Sequence, residues 1–179
     1  MSPLHSSDMT ALSTGLMVGR VILGLAIAAH GAQKLFGWFG GHGLAATGGS
    51  FERLGFRPGR LFATGAALGE FGGGLLTALG LFSPIGPAII VAIMLVAMIS
   101  VHWGHGFFAA TGGIELGLMY LAAGVLAAFA GPGSLSLDAL FGLRGLDTPR
   151  IGGIAVLIAV IAAGIAMALR RPAPAARAA

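Results

Sequence analysis

Five stretches of this chain, residues 14–35, 61–82, 86–101, 112–130 and 151–169, are apolar and nearly free of charge. A hydrocarbon core about 30 Å thick is crossed by roughly 20 residues rising about 1.5 Å each. Inside it every backbone N–H and C=O needs an internal partner, which restricts spanning segments to helices or closed barrels. Runs of this length predict an all-α membrane protein. Charged residues are 9% of the 179 and hydrophobic ones 56%. So few charges cannot coat a body of this size in water, but they suffice for the rims of one whose sides face lipid. The 32 glycines, many within the apolar runs, let helices approach closely where lipid removes the hydrophobic drive between them. The absence of cysteine excludes disulfides, thiolate metal sites and iron–sulfur clusters.

The organisation follows from breaks in these runs. Pro84 and Pro87, with Ser83 and Gly86, divide a long uncharged stretch into two helices, because proline lacks the helical donor and disfavours helix just before it. Residues 1–13 form an N-terminal tail without Lys or Arg, so the first segment lacks the positive region of a signal peptide and is expected to be retained. The connection 36–60 holds Phe51, Leu54 and Phe56 beside Glu52, Arg53 and Arg57, which predicts a short helix at the membrane interface. Residues 131–150 make the second long connection, its last part, 142–150, the loop before the fifth span, and 170–179 form a basic disordered tail. With five alternating spans, Lys34, Arg53, Arg57, Arg60, Arg170, Arg171 and Arg177 collect on one side and Arg144 and Arg150 on the other. That bias places the N-terminus outside and the C-terminus in the cytoplasm. The net charge of +4 comes with no basic run interleaved with aromatics, so the expected partner is the lipid bilayer and not nucleic acid.

Ionisable residues inside spans are costly and ask for partners. Arg20, His30 and Lys34 lie in the first span, Glu70 in the second, His102 at the end of the third and Glu115 in the fourth. At about 100° per residue the first three share an arc of roughly 80° that must face the bundle interior. Counting inward from the span ends matches Arg20 with Glu70 in depth and predicts a buried ion pair between them. The same count puts His30, His102 and Glu115 at one level with Lys34 just above. Two cations and two carboxylates then balance, giving a polar pocket open toward one membrane face. The competing reading is that such pairs only fix helix register. His102 and His105 have a metal-like spacing, but Gly104 and the span end interrupt a helical pair, and no metal is expected. A haem between His30 and His102 is disfavoured by Lys34 and Glu115 at the same level.

The run His30-Gly31-Ala32-Gln33-Lys34-Leu35-Phe36-Gly37, with Arg20 ten residues earlier, resembles the first helix of the DoxX family of small bacterial membrane proteins. Further matches follow in order: Gly69-Glu70-Phe71-Gly72-Gly73-Gly74; Met98 to His102 with Gly106-Phe107; Glu115 leading to Gly131-Pro132-Gly133 and Ser136-Leu137-Asp138. The resemblance implies a four-helix transmembrane bundle over residues 14–141 in the bacterial inner membrane. The fifth helix, 151–169, goes beyond that form.

The family name is shared with a subunit of a thiosulfate:quinone oxidoreductase, and relatives are linked with quinone chemistry and oxidative-stress membrane complexes. The resemblance therefore implies a quinone-associated component of a membrane redox system. Nothing in the chain supplies an electron donor, so such work requires a membrane or redox partner subunit. Two other classes compete: a small permease or exporter of an amphiphilic metabolite, and a non-catalytic scaffold of a membrane complex.

Overall fold

A computed structural model describes residues 6–171 as helices joined by loops and turns, with no strand among them. Helix α1 is Ser6–Phe36, with Asp8 in its first turn and Lys34 in its last, signs that suit the helix dipole. It starts well before residue 14, because a polar turn in which Thr14 bonds back to the Thr10 carbonyl continues the helix out of the apolar run. Much of the expected tail is thus helical, while residues 1–5 lie outside the described residues. Helix α2, Gly43–Arg53, is the short helix expected in the first long connection.

Helix α3, Gly59–Leu79, ends on Gly80 with φ 62°. There the Gly80 N–H donates to the Thr77 carbonyl and the Leu81 N–H to that of Leu76, a left-handed closure that glycine adopts without a Cβ penalty. After residues 80–84, helix α4 runs Ile85–Ala97 and continues as a π turn, Met98–His102, and a 3-10 turn, Trp103–His105. The prolines thus break the chain where expected. Helix α5 is Glu115–Ala130 and α6 is the single turn Leu137–Leu140. Helix α7, Pro149–Ala168, starts on a Thr148 hydroxyl that accepts the Ile151 N–H, with proline at the helix start, where its missing donor costs nothing. From the expected basic tail, Arg170 and Arg171 are described and docked, whereas residues 172–179, with Arg177, lie outside the described residues.

Three helices are long and apolar enough to cross a membrane: Ser7–Phe36, Ile85–His105 and Pro149–Ala168. The apolar α5 is shorter, at 16 residues, and α3 has the length, at 21 residues, but is diluted by glycine and Glu70. These two run beside the long helices. Helix α1 packs chiefly on α3, α3 on α4, and α4 on α5, with α7 laid across α4 and α5. Leu23, Ile27, Ile90 and Met94 form the core, flanked by Ile93, Tyr120, Leu121 and Ala123. The α1–α5 seam is the sparse side of the four-helix body. One end of the bundle holds the start of α1, residues 80–84 and residues 131–148. The other holds α2, residues 103–114 and the end of α7, where the Arg171 N–H donates to the Gly55 carbonyl at 2.8 Å.

The register of α1 on α3 is set by missing side chains. A Cβ on Gly24 would overlap the Gly74 carbonyl and the Ala78 amide, and one on Gly31 would overlap the Phe71 backbone. Close approach at both points holds the two helices in backbone contact, as small residues permit in lipid.

Candidate functional site

That register decides which charges meet. Gly31 lets the Phe71 backbone against α1, so the preceding residue, Glu70, reaches the last turn of α1. The Lys34 Nζ lies 2.5 Å from the Glu70 Oε2, with Lys34 28% and Glu70 6% exposed. The neighbouring Phe36 and Phe71 join the same two helices, their rings edge to face at 5.6 Å. His30 precedes Lys34 by one helical turn and shares its face. Its ring meets that of Tyr120 on α5 edge to face at 6.3 Å. His30 is exposed in the described molecule. Around the last turns of α1 the structure thus brings together a buried carboxylate from α3, a partly exposed ammonium and an exposed imidazole of α1 itself, and, across the α1–α5 seam, a phenol.

The expected Arg20–Glu70 pair is not formed. Centring each span on the membrane gives a pairing of α1 and α3 about one and a half turns away from the one the glycine contacts impose. Arg20 therefore sits at the opposite end of α3, buried. Its Nη1 donates to the Ala78 carbonyl and its Nη2 to the Leu135 carbonyl. The carboxylate near it is Asp138, which is 1% exposed and accepts the Phe82 and Ser83 N–H groups, each at 2.8 Å. Asp138 also donates its own N–H to the Gly80 carbonyl. Matching charges within the apolar runs does not reveal it, because it lies outside them. The signal that could have found it is Ser136, whose hydroxyl accepts the Ala139 N–H and starts α6, directing Asp138 inward. Beside this node a groove of about 660 Å³ opens between Met9, Leu12 and Leu16 of α1 and Pro132, Ser134 and Leu135.

His102 and Glu115 do not join Lys34 and Glu70. The His102 Nδ1 lies 2.6 Å from the Gly112 carbonyl oxygen, and the Glu115 Oε2 accepts the Ala109 N–H at 2.8 Å. Both fasten the α4–α5 loop. Among the described residues no hydrogen bond or ion pair links either of them to His30, Lys34 or Glu70. The loop closes partly on itself, with the Thr111, Gly112 and Ile114 N–H groups on the Phe108, Ala109 and Gly106 carbonyls, and the two side chains take up a carbonyl and an N–H, those of Gly112 and Ala109, as buried or turning backbone requires. The His105 Nδ1 is on the Val101 carbonyl, and among the described residues no three His, Asp or Glu side chains gather as a metal site.

No curated protein and no solved structure matches the chain. A family model described as DoxX matches residues 15–103. The match takes in α2, α3, α4 and nearly all the apolar part of α1, with Arg20, His30, Lys34, Glu70 and His102 among its residues, and over that stretch the chain carries a domain of the DoxX type, a family of membrane proteins.

Proposed function

We propose that the α1–α5 seam binds the headgroup of a membrane-dissolved quinone, making the protein a quinone-associated component of a membrane redox or oxidative-stress system. The observation that carries this reading is the Lys34–Glu70 pair lying one turn from an exposed His30 that bridges to Tyr120. Glu70 neutralises Lys34, so the site presents donors without a net charge that lipid would penalise. Lys34 retains N–H groups beyond the one it gives to Glu70, and His30 offers an imidazole at the sparse edge of the bundle. Those are the groups a quinone carbonyl accepts from, in a place a lipid-soluble ring reaches without entering water. A bound quinone would supply the redox chemistry. The chain's own residues would hold its carbonyls, and Glu70 would hold or release a proton at its Oε2. Electrons would come from a partner subunit in the same membrane. Arg20, His102 and Glu115, expected from the sequence in the same pocket, are engaged with backbone groups elsewhere and do not belong to this site.

The test is a thermal melt of the purified protein with a hydrophobic quinone analogue, since a ligand of the folded state alone raises Tm by mass action. The expected result is a rise that His30→Ala and Lys34→Met remove and that Val156→Ala, on α7, leaves in place. Absence of any shift at saturating analogue, or a shift that survives both seam variants, would replace this reading with the permease or the scaffold.

A further inference from the structure

The corner where α7 ends against α2 and α3 carries charges the seam does not use. We propose that it is a binding site for the phosphate headgroup of an anionic phospholipid. Five arginines converge there from three parts of the chain. Arg53 ends α2, Arg57 follows in the loop, Arg60 starts α3, and Arg170 and Arg171 follow α7. Their convergence is built by backbone. The Arg170 Nε donates to the Leu54 carbonyl at 2.5 Å and the Arg171 N–H to the Gly55 carbonyl at 2.8 Å. Gly48 of α2 lies against the Arg60 backbone, where a Cβ would stand 3.2 Å from the Arg60 Cα. Arg53, Arg57, Arg60 and Arg171 are exposed.

One carboxylate shares the corner, that of Glu52, and its Oε1 accepts the Gly59 N–H. The cluster therefore holds an excess of positive charge. A topological bias requires only that basic residues stand on one side of the membrane. It does not require that the end of α7 be latched onto the α2–α3 loop, which crowds like charges at a cost. An anion seated among them offsets that cost, and guanidinium forks match phosphate oxygens. The apolar surroundings specify a lipid as its carrier. Leu61, beside Arg60, is 67% exposed, and the half-buried Phe51 and Phe62 flank the buried Phe56 with ring centroids 5.6 and 5.4 Å away, so Leu61 and the edges of these two rings offer acyl chains an apolar surface on the same segments as the charges. Basic pockets between helix ends are where anionic headgroups bind.

The experiment compares the full chain in phosphatidylcholine nanodiscs with and without phosphatidylglycerol, reading retained lipid by native mass spectrometry and Tm by heating. Phosphatidylglycerol is expected to be retained and to raise Tm, and Arg57→Gln, Arg60→Gln and Arg171→Gln to weaken retention by about fivefold each. Arg150→Gln, at the opposite end, is expected to leave retention unchanged. Because Arg57 is exposed, its single variant reads the site even where the triple variant fails to fold. Equal behaviour of the two lipids, or retention by Arg57→Gln and the triple variant equal to that of the unmodified chain, would overturn the proposal. So would a Tm rise with inorganic phosphate in phosphatidylcholine alone, which would mean a free anion and no lipid.

Discussion

Lys34 and Arg20 share one helix and meet opposite surroundings. Lys34 finds a carboxylate, Glu70, and forms a pair of no net charge. Arg20 finds two backbone carbonyls at a helix end and a carboxylate, Asp138, which is itself held by backbone N–H groups. Removing one partner of a pair that faces lipid leaves the other uncompensated. Glu70→Gln and Lys34→Met should therefore each destabilise the protein in detergent, and the double variant should recover part of the loss, with a coupling of about 0.5–3 kcal/mol in thermal melts. Strict additivity would show that the pair contributes nothing. The sequence already marked these residues as needing partners, since a charge within an apolar run is costly wherever it stands. Which partner each takes was not legible. It turns on a helix offset smaller than the fuzziness of span ends, and Asp138 lies in a connection, where a charge carries no intramembrane cost to signal that it needs a partner.

At the scale of helices, the α1–α3 contact is governed by glycines that are not equivalent. Gly74 has the Gly24 carbonyl and the Ala28 amide where a Cβ would go, whereas Gly72 has nothing within 4 Å. Gly74→Ala should separate the helices and cost about 1–3 kcal/mol. Gly72→Ala should be neutral or stabilising by up to about 1 kcal/mol, since alanine is the better helix former. A comparison of their melting curves checks this, and equal effects would mean the contact does not set the register. Gly74→Ala should also weaken the Lys34–Glu70 pair, which depends on the same approach. The spans, the proline break and the short second helix followed from apolar length and turn chemistry. The glycines were recognised as contact faces, yet which of them meets which depends on packing across helices that are distant in sequence.

Across the whole molecule, Lys34, Arg53, Arg57, Arg60, Arg170 and Arg171 stand at one end, and Arg144 and Arg150 at the other. The bond from Arg171 to Gly55 carries the end of α7 to the same end as α2, as five crossings require. By the positive-inside bias we propose that this end faces the cytoplasm. Because the chain has no cysteine, single introduced cysteines report this directly. Arg57→Cys and Arg171→Cys should be labelled from the cytoplasmic side by a membrane-impermeant maleimide, and Ser7→Cys from the outside. Labelling of Ser7→Cys and Arg171→Cys from one side would mean that one of the five helices does not cross.

The docking of Arg170 and Arg171 on Leu54 and Gly55 also has a meaning in time. The donors and acceptors are 116 residues apart in the chain, and a ribosome adds residues at about 5–20 per second. For an interval on the order of ten seconds, the α2–α3 corner of a nascent molecule therefore waits in the membrane with two carbonyls open to water or headgroups. Only when α7 has been threaded does the corner close, so the earlier helices must hold their places without it, and the final helix acts as a clasp on a body already assembled.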